Sequence, residues 1–181
     1  MRLPHKTLEK KLFSDGYQYI FGVDEVGMGC LAGPVVVCAV LFTKKFFQKA
    51  HRKLRWLRDS KQLLPHQREF FFNELIKEQG IKYQLAFCSP ATIDKVNIYQ
   101  ASRLAMRKAI KKIQSDLNLK TIVLVDGRNK IKGLSMEQTP IVKGDRKIFA
   151  IACASIIAKV HRDQMMVRYA KKYPGYGFEK H

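Results

Sequence analysis

Only 15 of the 181 residues are Asp or Glu, and four of these stand where negative charge is costly. Asp24 and Glu25 close an apolar run that starts at Tyr17, and Asp126 follows Thr121-Ile-Val-Leu-Val. Asp145 sits in Lys143-Gly-Asp, just ahead of the apolar stretch that opens at Ile148. A carboxylate at the end of a buried strand is expensive unless something pairs with it. Convergence of these sites predicts a divalent cation as that partner, and an oxygen-only ligand set selects magnesium or manganese over zinc. Neighbours on a regular strand point to opposite faces. Asp24 and Glu25 are therefore predicted to share a site only if the strand breaks at Gly27-Met28-Gly29. Glycines there give the chain that freedom and let backbone amides approach a ligand. Taken alone, Asp-Glu-x-Gly also reads as an Asx-type turn with Glu25 solvated; Asp126 and Asp145 decide for the site.

The other reactive residue types suggest less. Cys30, Cys38, Cys88 and Cys153 form no C-x-x-C pair and read as buried free thiols of a reducing compartment. The five histidines, His5, His51, His66, His161 and His181, lack ligand spacing. Asp163, next to Arg162 on a helical stretch, reads as part of a surface ion pair. Trp56 and Phe70-Phe-Phe read as core and surface cover rather than base-stacking platforms.

Charge supplies the partner. Thirty-four Lys and Arg give a net charge of +19, and Lys44 to Arg68 holds nine of them against the single acid Asp59. Such a surface draws in polyanions and neutralises phosphates without reading sequence. Nucleic acid is the expected partner, and membrane binding is disfavoured because the basic stretches carry no clean amphipathic anchor. No apolar run reaches the ~18 residues of a membrane span, and Met1 to Gly16 lacks a secretory signal's apolar segment. A cytoplasmic protein is expected.

The elements that must position these residues follow from periodicity. Strands are predicted over Tyr17 to Asp24, Gly33 to Phe42, Ile81 to Cys88, Thr121 to Val125 and Thr139 to Val142. Helices are predicted over Leu63 to Gln79, Ala91 to roughly Gln114 (the longest) and Ile148 to Lys171, whose first half is apolar all round and so buried. Apolar residues at 46% support a real core, and the length suits one α/β domain over 1–181, with 1–18 as a lead-in.

At this point the residues resemble a known family. Gly22-Val-Asp-Glu-Val-Gly-Met-Gly-Cys-Leu-Ala-Gly-Pro-Val-Val is similar to the opening motif of prokaryotic ribonuclease HII. Asp59-Ser-Lys, Val125-Asp-Gly, Lys143-Gly-Asp, Ala154-Ser-Ile-Ile-Ala-Lys-Val-His-Arg-Asp163 and Tyr173-Pro-Gly-Tyr-Gly-Phe follow in the same order. Six motifs in register cover nearly the whole chain. Ribonuclease HIII resembles it less, because that family carries an extra N-terminal domain and matches Leu31-Ala-Gly-Pro less well.

The resemblance implies a ribonuclease H-like fold, a mixed central sheet flanked by helices. It implies an endonuclease, acting as a monomer with manganese or magnesium, that cleaves the RNA strand of RNA–DNA hybrids. Incision 5′ of single ribonucleotides in duplex DNA, as in ribonucleotide excision repair, is also implied. It places the metal-binding, catalytic carboxylates at Asp24, Glu25, Asp126 and Asp145. Reading of the ribose 2′-hydroxyl falls to Gly27, Met28 and Gly29, and a phosphate contact to Lys61, with Ser155 and Lys159 facing the substrate or stabilising their helix. Two departures stand out. Met28 occupies a position where the family usually has Arg or Lys. The chain stops at His181, before a Lys-Gly-Tyr-Gly-Thr segment whose tyrosine helps relatives recognise the RNA–DNA junction; Tyr173 and Tyr176 lie too early to replace it. Rival expectations are a retired nucleic-acid-binding scaffold and a DNA nuclease on the same fold.

Overall fold

The computed structural model describes residues 3–48, 53–114 and 119–180. Five strands form one mixed sheet in the order β3-β2-β1-β4-β5: β1 Tyr19–Val26, β2 Val35–Thr43, β3 Ile81–Cys88, β4 Thr121–Asp126 and β5 Glu137–Ile141. β1 pairs antiparallel with β2 and parallel with β4, β2 pairs antiparallel with β3, and β4 pairs parallel with β5. The helices are α1 Thr7–Ser14, α2 Lys44–Gln48, α3 Pro65–Lys77, α4 Pro90–Val96, α5 Ile98–Gln114, α6 Gly144–Lys147 and α7 Phe149–Lys172.

Strand alternation divides the core in two. Ile20, Cys38, Val40, Phe42, Ile122 and Leu124 pack against α7 and the elements around it. Phe21, Val23, Val37, Ala39, Val123 and Val125 face α5. The central strands are covered on both faces, and this is why their sequences are almost continuously apolar. Gly22 lets α7 lie close on β1, because any Cβ there would collide with the Ala150 carbonyl. That approach sets the first turns of α7 directly over the strand that carries Asp24.

α7 starts at Phe149, and the residue ahead of it, Ile148, provides no side-chain cap. Buried Glu9 of α1 fills the role, accepting the Ala150 N–H at 3.0 Å. Burial pushes Glu9 up to about 7, against the opposing effect of that hydrogen bond.

The structure corrects several expectations. The helix expected over Ala91 to Gln114 is two helices, divided at Asn97, whose φ is 63°. Asn97 Oδ1 accepts the Gln100 N–H at 3.0 Å and so starts α5 afresh, although the apolar periodicity runs across the joint. The longest helix is α7, with 24 residues. β1 extends to Val26, so Asp24 and Glu25 lie within it rather than at its end, and β5 begins two residues earlier than expected, at Glu137. Cys38, Cys88 and Cys153 are buried thiols, but Cys30 is exposed. Phe71 is buried, whereas Trp56 and Phe70 are exposed and belong to no core. Among the described residues, no helix is long and apolar enough to cross a membrane. His51, His181 and part of the basic run, Lys49 and Arg52, lie outside the described residues.

Candidate active site

Asp24 and Asp126 share the α7 face of the sheet on neighbouring parallel strands. β1 and β4 pair as far as Val23 and Val125, and each carboxylate is the next residue. Glu25 has the opposite parity, with Phe21 and Val23, toward α5. Ligand oxygens of all three nevertheless lie within 4.8 Å of one another. The strand break that seemed necessary does not occur. β2 continues to pair with β1 through Val26, while pairing with β4 stops at Val23, leaving one side of β1 open around which the longer Glu25 side chain can reach. The Glu25 N–H donates to Asp24 Oδ1 at 2.8 Å, which fixes the pair.

Asp145 is outside that trio but is tied to it. Asp126 Oδ1 accepts the Gly144 N–H at 2.6 Å, and Lys143 turns the chain there with a φ of 55°. Burial pushes Asp145 up to about 6, and the negative charges of Asp59 and Asp126 add to the rise.

The electrostatics are those of carboxylates crowded away from water. Burial raises Asp24 well above the ordinary range, helped by Glu25 and Asp126 and opposed by a hydrogen bond from Ser155. Burial lifts Glu25 to about 7, Asp126 adds to it, and Arg103 and Lys61 oppose it. Glu25 Oε2 is buried with no hydrogen-bond partner. An orphaned carboxylate oxygen beside two others, all hard donors, fits a divalent cation. The 490 Å³ cavity between α3 and α7 contains none of these carboxylates.

Asp59-Ser60-Lys61 buttresses the site. Asp59 is fully buried and accepts the Lys61 N–H at 2.9 Å and Arg146 Nε at 3.1 Å. Ser60 and Ser155 share a 2.9 Å hydroxyl contact, and Ser155 bonds to Asp24. Lys61 remains exposed, close enough to Glu25 and Asp145 to favour their ionised forms. Ser155 is buried, whereas Lys159 donates to Asp163 at 2.6 Å. Asp163 also holds Arg68 at 3.2 Å, so its ion pairs do not involve its neighbour Arg162.

Arg162 turns inward and donates from Nε to the Pro34 carbonyl at 3.1 Å and from Nη2 to that of Ala32 at 2.9 Å. The loop after Glu25 is thereby pinned to α7. Gly27, with φ of 108°, must be glycine, since a Cβ would sit 2.7 Å from the Pro34 oxygen and 2.8 Å from Arg162 Nε. A Cβ on Gly29 would meet nothing within 4 Å, and the Met28 side chain is exposed. The turn therefore presents its backbone outward.

Sequence reasoning missed Arg103, Arg162 and the internal role of Asp59. Arg103 lies over the Tyr99 ring at 5.1 Å, and its Nη2 would be 3.7 Å from a Cβ on Gly127. It therefore stands between Glu25 and the end of β4. Nothing in the sequence marks it out, since Gln100 and Arg107 share its helical register.

Comparison with known proteins places this geometry. Residues 21–181 match the family model for Ribonuclease HII. Ribonuclease HII of Caldicellulosiruptor bescii is 48% identical over 174 residues, covering 96% of this chain and 79% of that protein. Ribonuclease HII of Endomicrobium trichonymphae is 43% identical over 175 residues, covering 97% and 79%. Ribonuclease H2 from Pyrococcus horikoshii superposes with a TM-score of 0.69 at 31% identity, over 88% of this chain and 79% of that one. Bst-RNase HIII, solved in complex with Mn2+, shares the fold with a TM-score of 0.63 at 18% identity, over 87% and 56%. With a ribonuclease H-like sheet and a carboxylate cluster suited to a divalent metal, the chain belongs to the ribonuclease HII family and is a ribonuclease H hydrolase.

Proposed function

We propose that this protein hydrolyses the RNA strand of RNA–DNA hybrids and incises duplex DNA 5′ of a single embedded ribonucleotide, leaving 3′-hydroxyl and 5′-phosphate ends. The observation that carries this reading is the convergence of Asp24, Glu25 and Asp126 within 4.8 Å. These three would hold manganese or magnesium, with Asp145 completing the set from α6. Two bound divalent cations supply water activation and stabilisation of the departing oxygen.

The remaining work belongs to the chain. Ser155 and Asp59 hold Asp24, Lys61 and Arg146 in register, so the carboxylates present a fixed, water-poor rim. Lys61 is free to meet a phosphate near the scissile bond. Gly27, Met28 and Gly29 offer backbone groups to the ribose 2′-hydroxyl, the feature that separates RNA from DNA at one nucleotide. With Met28 between the glycines, that turn supplies no charge-assisted phosphate contact. Lys159 is assigned a supporting role through Asp163. A monomer in the reducing cytoplasm suits the four free cysteines.

The test is incision, in manganese or magnesium, of a DNA duplex bearing one ribonucleotide beside an all-DNA control. Cutting of only the first supports the proposal. Cutting of both indicates a DNA nuclease, and binding without cutting a retired scaffold.

A further inference from the structure

Trp56 is the only tryptophan of the chain, and 58% of it is exposed. Its neighbours show that this is not loose packing. Leu54 and Leu57 are each 2% exposed and anchor the turn in the core, leaving Arg55 and Trp56 on the outside. Phe70, on the first turns of α3, is 50% exposed and lines the same 450 Å³ depression as Trp56, together with Arg58, Leu63, His66 and Phe71. Two large aromatics left in water beside one another are costly unless something covers them.

The surrounding charge says what covers them. Arg55 sits 5.2 Å from the Trp56 ring centre, and Arg58 and His66 border the depression. Lys53 and Arg68 nearby pair with Glu74 and Asp163; Arg55 lies against the Trp56 ring and the Arg58 side chain lines the depression. Aromatic faces flanked by cations, on a chain of net charge +19, match a strand whose bases stack while its phosphates are neutralised. The face is also close along the chain to a residue that buttresses the site. Trp56 is three residues ahead of Asp59, at most ~11 Å along the backbone, and Asp59 bonds Arg146 beside Asp145.

We propose that the Trp56–Phe70 face binds a single-stranded segment of nucleic acid next to the active site, with an unpaired base stacked on Trp56. Duplex DNA cannot offer such a base without opening, so the face prefers single strands. The inference extends the proposed nucleic-acid function without depending on where the enzyme cuts.

Because Trp56 is the sole tryptophan, its fluorescence reports this face alone. The full chain is titrated with an oligothymidine of about 15 nucleotides, and separately with a hairpin duplex of equal length, in EDTA at moderate salt. Saturable quenching by the single strand, with weaker response to the hairpin, is expected. Anisotropy of a labelled strand then compares variants. Trp56→Ala and Phe70→Ala should each weaken binding by about tenfold, while Trp56→Phe retains most of the affinity. Both positions are solvent-facing, and unchanged melting temperatures would confirm that the variants fold. Absence of quenching, equal quenching by both ligands, or unaltered affinity in Trp56→Ala would each overturn the proposal. So would concentration-dependent self-association that shifts Trp56 emission, since the face would then be an interface between copies. Quenching in EDTA is read without turnover, so this result and the incision assay succeed or fail independently.

Discussion

Lowering the pH from 8 to 5.5 should empty the carboxylate site of its metal. Burial and mutual repulsion place Glu25 at about 7 and Asp145 at about 6, with Asp24 raised well above its ordinary value. A cation can bind only to the ionised forms, so each proton displaced lowers the apparent affinity about tenfold per pH unit below that group's midpoint. At pH 5.5 Glu25 lies about 1.5 units below its midpoint, which costs a factor of about 30. Asp24 is raised in the same direction, so manganese affinity should fall by at least that factor of about 30. Titration calorimetry with manganese, repeated in two buffers of different protonation enthalpy, measures both the affinity and the protons released. Stability of the metal-free protein should move the opposite way. Glu25 is raised from 4.5 to about 7 on folding, so its contribution is fully present below about 4.5 and is lost as the pH rises through 7, a difference of about 3 kcal/mol. Metal-free protein should therefore melt at a lower temperature at pH 8 than at pH 5.5, and saturating manganese should restore the loss at pH 8. An affinity that stays within twofold from pH 5.5 to 8, with no proton release, would refute the assignment of these carboxylates as a shared metal site.

Asp126→Asn keeps the size and the hydrogen bond from Gly144 but removes a ligand charge, and should lower incision at least a hundredfold; Asp163→Asn, which disturbs only Lys159 and Arg68, should change it far less. Glu9→Gln retains an acceptor for the Ala150 N–H without a buried charge, so it should raise the melting temperature at pH 8 and have little effect at pH 5, where Glu9 is already protonated. Arg103→Leu removes the cation that favours ionised Glu25, so the pH midpoint of manganese binding should move upward. Met28→Arg should tighten substrate binding and steepen its salt dependence by about one phosphate contact, with unchanged affinity at moderate salt showing that no such contact forms.

Much of the fold was legible because its central strands are buried on both faces. Val35 to Phe42 and Thr121 to Val125 have no alternation to misread, and α7 declares itself by a first half that is apolar all round. What failed were features decided by single side chains. The division of α4 from α5 rests on Asn97 adopting a positive φ and capping the helix after it, while the apolar pattern runs through unbroken. α1 was not anticipated: it adds only Leu12 and Phe13 to the core, and its buried acid, Glu9, meets α7 141 residues later.

The site shows the same divide. Asp24, Glu25 and Asp126 were visible because a carboxylate bordering a valine-rich strand is anomalous in itself. How Glu25 joins Asp24 was not visible, because parity along β1 forbids it, and the answer lies in where the β4 partner stops. Asp59 could not be separated from the solvated charges around it, since its burial depends on Arg146, which is 87 residues away. Arg103 was hidden for a related reason: helical periodicity says which residues face the sheet, but not that α5 passes the open edge of β1 just where Glu25 reaches round it. The carboxylates proposed to hold the metal thus announce themselves locally, whereas Asp59 and Arg103, which bear on their geometry and charge, become apparent only once the sheet has brought distant segments together.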